Sequence, residues 1–111
     1  MRRYKEALEL FEGLAILAPE SEVPLVALGN VDFCTGKVAR AIRHYEQALK
    51  LAPESVFAQV YLGEALFFAG KREKAGALLQ AVAKSDRGGA GEFARALLEA
   101  IRKGHIEPAK K

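Results

Sequence analysis

The sequence predicts an all-α fold, built from a half repeat, two full helical hairpins and a C-terminal capping helix. Three observations point there. A set of residues recurs every 34 positions, the apolar residues between recurrences are spaced by three and four, and glycine or proline closes each segment. Ala7, Ala41 and Ala75 share the 34-residue spacing, as do Gly36 and Gly70, and Leu28-Gly29 returns as Leu62-Gly63. The run Ala18-Pro19-Glu20-Ser21 returns unchanged as Ala52-Pro53-Glu54-Ser55, and Phe11, Tyr45 and Leu79 mark a large residue at the same period.

Residues 1–18 read as a half repeat, an amphipathic second helix whose first-helix partner is absent. The first full repeat spans 21–54. Its first helix runs from Ser21, a helix-capping residue type, to Thr35, with Leu25, Leu28, Val31 and Phe33 apolar. Pro24 falls in the first turn, where a missing N–H does little harm, and Gly36 supplies a left-handed terminus. The second helix, Lys37 to Ala52, carries Val38, Ala41, Ile42, Tyr45, Ala48 and Leu49 on one face until Pro53 stops it. The second repeat, 55–87, follows the same plan through Gly70, with a second helix from Lys71 to about Lys84. Gly88-Gly89-Ala90-Gly91 reads as a flexible connector, residues 92–103 as a capping helix with Phe93, Leu97 and Ile101 on one face, and 105–111 as a disordered tail.

Composition narrows the function classes. With 111 residues the chain has room for one domain, and 50% apolar residues exclude a disordered one. The net charge of +3 is small and the interior charges alternate in sign, as in Lys71-Arg72-Glu73-Lys74, so no nucleic-acid partner is expected. No apolar run reaches the roughly 20 residues of a membrane span, and the amphipathic N-terminus does not resemble a signal peptide. A single cysteine fits a reducing compartment, and a cytoplasmic location is expected.

The positions Leu25, Leu28-Gly29, Ala41, Tyr45, Ala48 and Pro53 resemble the tetratricopeptide repeat, and Leu62-Gly63, Leu66 and Ala75 match it again. Asp32 stands where the family usually has an aromatic, which predicts looser packing there; Gln59 and Arg87 also depart from the pattern. The resemblance implies a short superhelix over residues 1–104 whose first helices line a concave, ligand-binding wall. That wall would include Val23, Val26, Asn30, Phe33 and Cys34, then Phe57, Val60, Tyr61, Glu64, Phe67 and Phe68. Some members of the family grip a chaperone's C-terminal carboxylate with basic and amide side chains. Here only Asn30 remains of that set, and Val26, Phe57 and Tyr61 replace the others. An extended protein or peptide segment with apolar anchors suits this wall better, with Asn30 and Glu64 bonding its backbone. Aromatics at helical spacing also suit a core, but adjacent Phe67 and Phe68 cannot both point inward, so at least one is expected on the wall.

Tyr4 to Ile16 and the terminal run Phe93-Ala-Arg-Ala-Leu-Leu-Glu-Ala-Ile are also similar to the translocator chaperones of type III secretion. That resemblance implies a bacterial cytoplasmic protein holding apolar segments of pore-forming clients, with N-terminal helices as a dimer interface. The absent first helix predicts reduced cover for Leu8, Phe11 and Leu14. Either more chain, or a second copy in a homo-oligomer, or another partner would supply it. A self-assembling scaffold is the alternative function.

Nothing points to an enzyme, a metal or a cofactor. His44 is expected on the open helix surface and His105 in the tail, and Cys34 lacks a neighbouring activating base. The glycine run at 88–91 lacks the lysine and hydroxyl residue of a phosphate loop and follows no strand.

Overall fold

The computed structural model describes residues 2–108, which form six helices and, among the described residues, no strand. They are α1 (Arg2–Leu17), α2 (Val23–Cys34), α3 (Val38–Leu51), α4 (Val56–Phe68), α5 (Arg72–Ser85) and α6 (Gly89–Arg102). The chain divides between Ser55 and Val56 into two compact units, at the junction of the two full repeats. Each unit holds one complete hairpin and one additional helix.

In the first unit α2 and α3 form the hairpin and α1 packs on α2. Ser21 accepts a hydrogen bond from the Val23 N–H at 3.2 Å, and Pro24 is buried in the first turn of α2. Gly36, at φ 83°, reverses the chain. The Gly36 N–H donates to Phe33 O and the Lys37 N–H to Asp32 O, which satisfies carbonyls that the end of α2 leaves open. Leu28, Ala41, Tyr45 and Ala48 are buried between the helices. The closest approach is at Gly29, where a Cβ would fall 2.7 Å from Cδ1 of Tyr45.

Two expectations fail in this hairpin. Asp32 does not loosen the packing, and His44 is not a free surface residue. Asp32 is fully buried, its Oδ2 lies 2.7 Å from His44 Nδ1, and the Arg40 guanidinium stands 3.7 Å from Oδ1. Oδ1 itself accepts no hydrogen bond. The repeat register supplies the reason: Asp32 and His44 occupy the positions that Leu66 and Leu78 occupy one repeat later. A position that is apolar in one hairpin is polar in the other, and the carboxylate finds its partner across the turn.

The half repeat is only partly covered. Leu8 and Phe11 are half-buried, whereas Leu10, Leu14, Ile16 and Leu17 are exposed. The reduced cover thus falls on Leu14 and its neighbours along α1, while Leu8 and Phe11 lie on the better-covered side.

In the second unit α4 and α5 form the hairpin, and α6 packs on both. Gly70, at φ 87°, repeats the turn of Gly36, with Gly70 N–H to Phe67 O and Lys71 N–H to Leu66 O. Gly63 takes the place of Gly29, and a Cβ there would lie 2.8 Å from Leu79 Cδ2. Val60, Leu79, Val82, Ala90 and Ala94 form the core, with Phe93, Leu97, Leu98 and Ile101 packed against it.

The expected connector at 88–91 is instead the start of α6, with Ala90 and Gly91 buried. The Asp86 carboxylate accepts the Gly91 N–H at 2.7 Å, and Gly91 has no Cβ to collide with the Asp86 carbonyl. Glycine here permits a close approach rather than a flexible link. At its other end α6 closes as α2 and α4 do: Gly104 has φ 74°, its N–H donates to Ile101 O, and the His105 N–H donates to Ala100 O. Gly36, Gly70 and Gly104 are each 34 residues apart, so α6 stands in the register of a third first helix. The tail expected to be disordered falls partly on residues 109–111, which lie outside the described residues. Residues 103–104 form a turn and 105–106 a bend, and Ile106 and Pro108 are half-buried.

Two sets of substitutions check this packing by urea unfolding. Gly29→Ala and Gly63→Ala push a methyl into Tyr45 and Leu79 and should each destabilise by about 1–3 kcal/mol. Gly76→Ala, in α5 with nothing within 4 Å of the new Cβ, should stabilise by about 0.5–1 kcal/mol through helix propensity. His44→Ala strands the buried Asp32 carboxylate and should cost on the order of 3 kcal/mol. The Asp32→Leu, His44→Leu pair, which copies the second hairpin, should recover that loss.

Candidate functional site

The helical period divides α4 into a buried face and an open one. Phe57, Tyr61, Glu64 and Phe68 are spaced by four, three and four residues and share one stripe. Phe57 remains 49% exposed, and Tyr61, Glu64 and Phe68 are half-buried. Val60 and Phe67 lie one register over and are buried, at 0% and 2% exposure. They are therefore not wall residues, contrary to the sequence reading. Val60 belongs to the core against α5 and α6, and Phe67 meets Phe68 edge-on at 5.4 Å with the Arg72 guanidinium 5.6 Å above its ring. Of the adjacent phenylalanines, Phe67 turns inward and Phe68 stays on the stripe.

The stripe's aromatic end is organised by ring contacts. The Phe57 and Tyr61 centroids are 6.1 Å apart, and Tyr61 meets Phe93 of α6 edge-on at 6.0 Å. Such pairs hold their rings at the fixed offset that aromatic quadrupoles favour. Phe93 was legible as part of an apolar face with Leu97 and Ile101, but its contact with Tyr61 depends on α6 lying against α4. Glu64 interrupts this apolar surface. Burial pushes its carboxyl above the ordinary glutamate range, and among the described residues no neighbouring cation offsets the desolvation.

In the first unit the corresponding face of α2 is less aromatic. Val23 and Cys34 are exposed, and Val26, Asn30 and Phe33 are half-buried. The Tyr45 hydroxyl donates to Asn30 Oδ1 at 2.6 Å, so this amide is oriented by the hairpin core. Ala27 occupies the position that Tyr61 fills in α4.

The described residues contain no group of three or more His, Cys, Asp or Glu placed to hold a metal ion. A concavity of about 350 Å³ opens at the α4–α5 turn, lined by Gly70, Lys71, Arg72, Glu73 and Lys74. Its walls are turn backbone and the side chains of charged residues, without the hydrophobic and aromatic residues that usually line ligand sites. Among the described residues no helix is long and apolar enough to cross a membrane.

No curated protein matches the sequence. Among solved structures, the type III secretion translocator chaperone SycD of Yersinia enterocolitica is similar, with a TM-score of 0.79 and 19% identity. The match covers 94% of this chain and 76% of that one. At this identity the likeness is one of fold. The family model described as tetratricopeptide repeat matches residues 33–101, which take in the Gly36 and Gly70 turns, the whole α4–α5 hairpin and nearly all of α6. With that span matched and the 34-residue helical hairpins in place, the chain belongs to the tetratricopeptide-repeat family.

Proposed function

We propose that the protein is a non-catalytic interaction module that binds an extended, apolar-anchored segment of another protein on the open face of a first helix. The observation that carries this reading is the α4 stripe: Phe57 and Phe68 lie outside the hairpin core and Tyr61 packs along its edge, on a face whose neighbours Val60 and Phe67 already fill the interior. In the first unit, taken by itself, Val23, Val26, Asn30, Phe33 and Cys34 are the corresponding α2 residues, with the Asn30 side-chain N–H group free to donate to a ligand backbone. Three apolar anchors at about 1.5–3 kcal/mol each, less the costs of ordering, give affinity near the micromolar range. A chaperone role, holding a client segment in the cytoplasm, draws support from the fold shared with SycD, a translocator chaperone.

Fluorescence anisotropy with labelled 12-residue peptides carrying two or three leucine anchors tests the reading. Phe57→Glu should weaken binding at least tenfold while the circular dichroism spectrum stays unchanged, because the ring is half exposed. Unchanged affinity in the folded variant would remove α4 from the site.

A second reading, self-association, draws on α1. Leu10, Leu14 and Leu17 are spaced by four and three residues and are exposed, forming an apolar stripe beside Ile16. In the repeat register they match His44, Ala48 and Leu51, of which His44 bonds its own first helix and Ala48 is buried. On this reading sedimentation velocity shows a size that rises with concentration, and Leu10→Glu with Leu14→Glu holds the protein monomeric. A monomer at every concentration would dismiss it.

A further inference from the structure

The α4 stripe is not uniformly apolar, and its one interruption has a definite chemistry. Glu64 lies between Tyr61 and Phe68 on the face that begins at Phe57, and it is half-buried there. At 1.5 Å of helix rise per residue, Phe57 stands about 10 Å to one side of it along the axis and Phe68 about 6 Å to the other. Among the described residues no lysine, arginine or histidine pairs with it. The acid is particular to this helix: the equivalent position in α2 is Asn30 and in α6 it is Leu98. An acid on a helix surface normally keeps its water. Here burial has removed part of that water, and among the described residues no cation replaces it.

We infer that Glu64 makes this surface selective for a segment carrying a single lysine or arginine set between two apolar anchors. Resting on the α4 face as the binding surface, the inference adds what the ligand must bring to it. A ligand that covers Phe57, Tyr61 and Phe68 with apolar groups also covers Glu64, and an entirely apolar ligand would bury the carboxylate without a partner, which is costly. A cationic side chain turns that penalty into a charge-assisted hydrogen bond in a partly water-excluded setting. The flanking aromatic faces, Tyr61 and Phe68, favour the same charge. An acidic residue at that place is disfavoured twice, by repulsion and by shared desolvation.

The raised carboxyl of Glu64 supplies a pH signature with a definite sign. Between the ordinary glutamate range and the raised one, the folded protein binds a proton that the unfolded chain does not. The free protein therefore gains stability as pH falls through that window, and Glu64→Gln removes the gain. Binding of a cationic ligand runs the other way. It needs the carboxylate and weakens as pH falls through the same window.

The test uses the full chain and three labelled peptides that share leucine anchors and differ only at one central residue: lysine, norleucine or glutamate. The expected result is that wild type binds the lysine peptide at least tenfold more tightly than the norleucine peptide, and the glutamate peptide most weakly. Glu64→Gln should erase the lysine advantage while binding norleucine as well as wild type or better. Equal affinity for lysine and norleucine in wild type, or a lysine preference that survives Glu64→Gln, overturns the inference and leaves the apolar surface standing. Failure of all three peptides to bind overturns the surface and the inference together, and the norleucine control separates that case from the other.

Discussion

Each unit depends on how closely the first helix of a hairpin approaches the second. At Gly29 the approach brings the α2 backbone against the Tyr45 ring, and at Gly63 it brings α4 against Leu79. Alanines at 41, 48 and 75 keep the facing helices equally slim, and all three are fully buried. This constraint reaches beyond stability, because it fixes the rotation of each first helix about its own axis. Once Gly63 faces Leu79, Val60 and Phe67 are turned to the interior, Phe57, Glu64 and Phe68 are turned away from it, and Tyr61 packs at the edge beside Phe93. The open face of α4 is thus a consequence of the core, and a change in the core would re-aim the surface.

The two hairpins share this backbone plan and differ in what fills it. The second is closed by leucines at 66 and 79, with the Val60–Ala94 core extending into α6. The first places Asp32, His44 and Arg40 where the second has Leu66, Leu78 and Lys74, and ties Tyr45 to Asn30. A buried ionic group of this kind contributes less to stability than a well-packed apolar pair and is costly to break. Its effect is to let the α2–α3 pairing satisfy the carboxylate only when His44 faces Asp32 across the turn.

The repeat, the boundaries of α2 to α5 to within about two residues, and the reversing glycines at 36 and 70 were legible because they rest on local chemistry, namely backbone conformation and helical spacing. Gly104 carried the same signal 34 residues later and identifies α6 as a repeat element; the departure of Arg87 from the closing proline obscured it. The wall residues were half legible. Sequence places Phe57, Val60, Tyr61, Glu64, Phe67 and Phe68 on one helix, but which of them face out depends on where α5 and α6 lie, and that is tertiary information. Asp32 and His44 were misread for a related reason. Each looks like a surface or defect residue alone, and only their opposition within the hairpin, which the register 32/66 and 44/78 does encode, makes them partners. The glycines at 88–91 resembled a linker because glycine serves flexibility and close approach alike, and the Asp86 contacts decide between them.

The central claim is that a ligand lands on the open face of α4. Backbone and aromatic NMR shifts, followed while a leucine-anchored, lysine-bearing peptide is titrated into the full chain, test this most directly. The account predicts that the largest perturbations cluster at Phe57, Tyr61, Glu64 and Phe68 with Phe93 beside them, while Val60 and Phe67 move little. Perturbations confined to Leu10, Leu14 and Leu17 of α1, or spread evenly through the chain, would contradict it.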